Sequence, residues 1–141
     1  RKGDFPYWIA KEFSDVFAFK PNIIVIKLGT NDTKPENWDQ EGYKTDYQAM
    51  IDTFKTIATH PTIYLCYPVP VFETRWGIND STVINGVIPV IDELAKANHL
   101  PVIDLYHGMS DQKANFPDGI HPNEEAVKQM SCIIAAALRK K

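Results

Sequence analysis

The stretch Asn22-Ile23-Ile24-Val25-Ile26-Lys27-Leu28-Gly29-Thr30-Asn31-Asp32 decides the fold. From Ile23 to Ile26 every residue is apolar and β-branched, so the run is apolar on both faces. Such a strand belongs in a parallel sheet covered on both sides. The run stops at Gly-Thr-Asn-Asp, a cluster of turn residues. Two further apolar runs, Thr62–Val69 and Pro101–Tyr106, also read as strands. Helical periodicity fills the intervals. In Tyr43–Ala58, Tyr43, Tyr47, Met50, Ile51, Phe54 and Ile57 fall on one helix face. Val83, Val87, Val90, Ile91 and Leu94 do the same between about Ser81, read as a helix cap, and Asn98. Pro89 must sit in the first turns of that helix or kink it. An opening helix is expected over Pro6–Ala18 and a closing one over Pro122–Arg139, with Glu124 and Glu125 near its start and Arg139, Lys140 and Lys141 near its end. The order α-β-α-β-α-β-α predicts an α/β domain with a parallel sheet between helical layers. Three strands are few for such a sheet, and the chain opens on a helix. The expectation is therefore that one or two N-terminal strands, roughly 50–60 residues, lie outside this chain.

Composition agrees with one globular domain. The chain has 141 residues, 44% hydrophobic and 23% charged. Lysine and arginine number 15 against 18 aspartates and glutamates, a net charge of −3. No basic stripe is present, so nucleic acid is not an expected partner. No apolar run reaches the ~18 residues of a membrane span. Arg1-Lys2-Gly3-Asp4 is not followed by the apolar core of a signal peptide. Cys66 and Cys132 fall in an apolar strand and an apolar helix and are expected to be buried free thiols. No cysteine–histidine spacing fits a zinc site and no glycine-rich phosphate loop occurs, so neither metal nor cofactor is expected.

In an open α/β sheet, sites form beyond the carboxyl ends of the strands. Three segments lie there. In Phe116-Pro117-Asp118-Gly119-Ile120-His121-Pro122-Asn123, His121 is expected immediately before a helix whose first residue is Pro122. Asp118, three residues earlier, can reach one imidazole nitrogen across Gly119 and leave the other facing a cleft. Such a carboxylate fixes the tautomer while the histidine moves a proton. Alone, the pattern is more often an Asx-type turn with a surface histidine before a helix. In Gly29-Thr30-Asn31-Asp32, Gly29 admits close backbone approach to a ligand, and the Asn31 amide can donate to a developing oxyanion. Asp32 is expected to brace the loop by accepting backbone N–H groups. The third segment carries Phe72, Arg75 and Trp76. Sugars stack on aromatic faces, and an arginine can fork a carboxylate such as that of sialic acid. Packing and a solvated arginine are the plainer reading. His60, His99 and His107 fall at element ends without matched ligands.

Together, Gly29-Thr30-Asn31-Asp32 and Asp118-Gly119-Ile120-His121-Pro122 resemble the third and fifth blocks of the SGNH (GDSL-like) hydrolase family. The resemblance follows the whole chain in order and spacing. It implies a flavodoxin-like three-layer α/β/α fold and ester hydrolysis by a Ser-His-Asp triad. His121 would be the base, Asp118 its partner and Asn31 a side-chain oxyanion donor. Gly3-Asp4-Phe5-Pro6-Tyr7-Trp8, with Lys34-Pro35-Glu36-Asn37-Trp38, is similar to the sialate O-acetylesterase branch and related carbohydrate esterases. That implies a small acylated carbohydrate as substrate and favours a periplasmic or secreted setting, although the residues themselves name no compartment.

The family's Gly-Asp-Ser block and its second oxyanion glycine are not in this chain. Its serines are Ser14, Ser81, Ser110 and Ser131. Only Ser110 falls on a loop at the correct end of the sheet, and nothing around it resembles a sharp nucleophile turn. The nucleophile is therefore expected upstream of residue 1 and the chain alone is expected to be inactive. The Asn22–Leu28 strand is then a bare apolar edge through which copies could associate. The alternatives are a lysophospholipase or arylesterase of the same family, and a non-catalytic carbohydrate-binding relative.

Overall fold

The computed structural model describes residues 6–139. Gly3, Asp4 and Phe5 of the finer resemblance, and Lys140 and Lys141 of the basic helix end, lie outside them. Three strands, β1 (Ile23–Ile26), β2 (Thr62–Tyr67) and β3 (Val102–Asp104), form a parallel sheet in the order β1-β2-β3. Ile23 stands opposite Thr62, and Leu65 opposite Val102. Each strand is shorter than its apolar run: the run continues into loops after β1 and β2, and into the short helix α5 (Leu105–Gly108) after β3.

The helices α1 (Lys11–Phe19), α2 (Gln40–Lys55) and α4 (Ile88–Asn98) cover one face. There Ile24, Ile26, Ile63 and Leu65 meet Met50, Ile51 and Phe54 of α2 and Val90, Ile91 and Leu94 of α4, with Phe13 and Phe17 of α1 packed against them. The other face is covered by α6 (Glu124–Arg139), whose Ala126 and Met130 join Cys66 and Ile103. The result is the three-layer α/β/α arrangement that an all-apolar β1 requires.

Local chemistry moves several element boundaries. Asp39 accepts the Gly42 N–H at 3.1 Å and starts α2 a turn before its apolar stripe. The third helical segment begins with the single turn α3 (Asp80–Thr82), capped by Asn79 rather than Ser81: the Asn79 side chain accepts the Thr82 N–H at 2.8 Å. The chain then widens to a π-helix over Val83–Val87 before α4. Pro89, in the first turn of α4, cannot donate to the carbonyl four residues back, and the wider turn carries the chain past it. Pro122 is not the first residue of the last helix. Asn123 caps α6 by accepting the Ala126 N–H at 3.0 Å, so the helix begins at Glu124.

Cys66 is buried as expected, and burial pushes its thiol up to about 11, with Lys27 opposing the shift. Cys132 is exposed instead. It lies two residues beyond the inward-facing Met130, about 200° around the helix.

Candidate active site

The carboxyl ends of β1, β2 and β3 lead to the three loops that carry the candidate residues. His121 projects from the last of them. Its Nδ1 stands 2.7 Å from Asp118 Oδ2, while the other carboxylate oxygen accepts the His121 N–H at 2.7 Å and the Ile120 N–H at 2.9 Å. Those backbone donors, with the imidazole, hold the Asp118 carboxyl well below the usual carboxylate range. An ionised Asp118 places the proton of neutral His121 on Nδ1 and leaves Nε2 as the basic nitrogen.

Gly119 makes this loop possible. Its φ is +80°, and a Cβ there would stand 2.5 Å from Glu73 Cβ and 2.9 Å from the Glu73 backbone nitrogen. The Phe72 N–H donates to the Gly119 carbonyl at 2.8 Å. The loop after β2 is thereby clamped onto the histidine loop.

The Gly29–Asp32 loop is equally constrained. Gly29 has φ +128°, and a Cβ would collide with Tyr43 Oη and Val87 Cγ1, each at 2.7 Å. The segment Asn31–Thr33 turns once as a 3₁₀-helix. Its brace is Thr33 rather than Asp32. The buried Thr33 hydroxyl donates to the Thr30 carbonyl at 2.8 Å and accepts the Asn79 N–H at 3.2 Å, and the Asn79 amide donates to the Thr33 carbonyl at 2.9 Å. Asp32 borders the cavity with its carboxyl raised by burial, its own backbone N–H opposing the shift. The structural roles of Thr33 and Asn79 were not legible in the sequence, since 46 residues separate them and neither belongs to a catalytic pattern.

His121, Asn31, Gly29 and Trp76 all line one cavity of about 800 Å³. Tyr7, Trp8, Trp38 and Tyr43 add aromatic rings to its lining, and Asp32, Lys34 and Asp46 add charged groups. Asp118 stands behind His121. Arg75 is not on the wall. Its guanidinium lies 3.7 Å from Glu73 instead. None of the four serines lines the cavity. Ser110 donates to the His107 carbonyl at 2.8 Å, and Ser14 and Ser131 donate to carbonyls of their own helices. Among the described residues no group of three histidine, cysteine, aspartate or glutamate side chains is placed to hold a metal ion.

A second Asp-x-x-His folds the same way. His107 Nδ1 stands 2.7 Å from Asp104 Oδ2, and its N–H donates to Asp104 Oδ1 at 2.9 Å. His107 does not line the cavity. The local pattern thus makes the pair, and the surroundings make the site.

The model of the GDSL-like lipase/acylhydrolase family matches residues 4–128. An acetylxylan esterase of Xylanibacter ruminicola is 40% identical over 157 residues, an alignment that covers 98% of this chain and 33% of that protein. A GDSL-like lipase from Bacteroides thetaiotaomicron superposes with a TM-score of 0.72 at 26% identity, covering 92% of this chain and 68% of its own. The lipase/acylhydrolase from Enterococcus faecalis gives 0.73 at 25% identity, covering 87% and 64%. The chain therefore spans about a third of the curated relative and about two thirds of these solved structures.

Proposed function

Because the chain belongs to the GDSL-like lipase/acylhydrolase family, we propose that it supplies the acid–base and oxyanion half of a serine esterase site that removes acetyl groups from a carbohydrate. The observation that carries this reading is the His121 imidazole, held by Asp118 on the wall of the cavity that Asn31 also lines. A serine hydroxyl attacks the ester carbonyl as His121 Nε2 takes its proton. Asn31 donates to the oxygen that becomes negative. Collapse of the tetrahedral species breaks the bond to the sugar oxygen, which receives the proton back from His121. Water then repeats the cycle on the acyl-enzyme.

The serine in this reading sits on a strand beside β1. Two features support that placement. A groove of about 650 Å³ runs along β1, and Ile23 and Phe19 are left exposed at it. β1 has a strand partner on one side among the described residues.

The sugar is better read as a neutral acetylated xylan than as sialic acid. Arg75, the candidate to grip a carboxylate, lies off the cavity wall, and the curated relative is an acetylxylan esterase. Acetate release from acetylated xylo-oligosaccharides by the protein that carries this chain tests the assignment. Release that exceeds turnover of long-chain acyl esters supports it. Rates that climb with acyl length would move the protein to the lysophospholipase or arylesterase class.

The alternative from another class is a non-catalytic carbohydrate binder. Labelling of the same protein by a fluorophosphonate would exclude that alternative.

A further inference from the structure

Trp76 is held in a conformation that its own chemistry opposes. The Arg75 and Ile78 backbones pair across a two-residue turn, with Ile78 N–H donating to the Arg75 carbonyl at 2.9 Å and Arg75 N–H to that of Ile78 at 3.3 Å. Both central residues have positive φ, +53° at Trp76 and +79° at Gly77, so the turn is type I′. Asparagine or glycine normally fills the first central position. A bulky aromatic there is strained, and strain of this kind persists where the surroundings impose it.

Those surroundings are the two loops of the site. Glu73 and Phe72 clamp the segment to Gly119, and Gly77 packs against Pro35 beyond the Asn31 turn, where an added Cβ would stand 3.0 Å from the ring. The strain does not serve to bury the indole, because Trp76 stays 62% exposed. Its ring lines the cavity and stands 6.2 Å from the His121 imidazole, centre to centre. An exposed aromatic face kept at a fixed distance from an acid–base group, with Asn31, Asp32 and Lys34 nearby, has one apolar surface and a polar rim. A sugar ring has the same division between its C–H face and its hydroxyls.

We propose that Trp76 is the specificity-determining platform of the site, on which a pyranose ring stacks so that its ester group meets His121. This rests on the carbohydrate-ester reading above, but its test needs no turnover. Binding of xylotriose to the intact protein is measured by calorimetry, with thermal stability followed in parallel. Trp76→Asn should weaken xylotriose by about tenfold or more, the scale of one lost aromatic contact. Its Tm should hold or rise, because asparagine tolerates the turn. Trp76→Phe, which keeps a ring, should retain most of the affinity. A fall in Tm for Trp76→Asn, equal affinity in wild type and Trp76→Asn, or no binding by the wild type would each overturn the proposal. Protection by a lysophospholipid in place of the sugar would overturn it too. Xylotriose binding through Trp76 without any acetate release would sink the esterase reading and leave the stacking platform standing.

Discussion

At the scale of single residues, the ionised Asp118 carboxylate accepts three donors at once: two backbone N–H groups and the His121 ring. Its folded-state pKa is depressed, so it stabilises the fold above the unfolded value of ~3.9 and loses that contribution as pH falls below it. Asp118→Asn should therefore be less stable than wild type at neutral pH, and the gap in Tm should close as pH drops under about 4. A gap independent of pH would remove the charge from the account. Asn31→Ala should lower kcat by roughly a hundredfold or more with little change in KM, as expected for a donor used only in the transition state. The spacing suggested the Asp118–His121 pair, whereas Asp104–His107, at the same spacing, corrects the expectation that His107 has no matched partner. Spacing specifies a local hydrogen-bonded turn. It carries no information about which turn faces a cavity, and that distinction came from the matching Gly29–Asp32 segment.

At the scale of elements, the site is a junction of loops fitted around glycines. Gly119→Ala places a methyl group against Glu73 in a left-handed backbone, and should destabilise by roughly 1–3 kcal/mol while shifting His121. Gly86, in the π-helical turn, has the Trp38 ring packed directly on it. Gly86→Ala should push Trp38 from the cavity wall and lower Tm by several degrees, a cost of about 1–3 kcal/mol for overpacking. Calorimetric scans of the two variants check both statements. Unchanged Tm values would mean that these backbones move apart freely. The apolar periodicity of α2, α4 and α6 revealed the helices, because burial imposes it. The caps Asp39 of α2, Asn79 of α3 and Asn123 of α6 were less legible, since a capping side chain leaves no mark on an apolar stripe. The π-helical turn is likewise silent in a periodicity read at 3.6 residues per turn, although Pro89 pointed to a departure there.

At the largest scale, the sheet carries the candidate functional loops at one end and, among the described residues, an unpaired apolar edge along β1. Ile23 is 47% exposed and Phe19 80%, both along the groove beside β1. We propose that the 141-residue chain, studied alone, self-associates along that edge. Ile23→Lys should reduce its concentration-dependent mass in sedimentation without lowering Tm, since a charge on an edge strand discourages pairing. An unchanged mass would place the contact elsewhere. The parallel α/β layering was legible because a strand apolar on both faces admits few other arrangements. The Thr33–Asn79 brace and the strained Trp76 turn were not, because each depends on segments brought together only by folding.

In the function proposed for this chain, His121, held by Asp118 on the wall of the cavity that Asn31 also lines, carries the proton of ester hydrolysis. The most direct test is kcat/KM for an aryl acetate in the protein that carries this chain, compared between wild type and His121→Ala. The expected result is a fall of about ten-thousandfold with an unaltered circular dichroism spectrum. Turnover by the variant within tenfold of wild type, the scale of a uniform binding effect and not of a lost base, would contradict it.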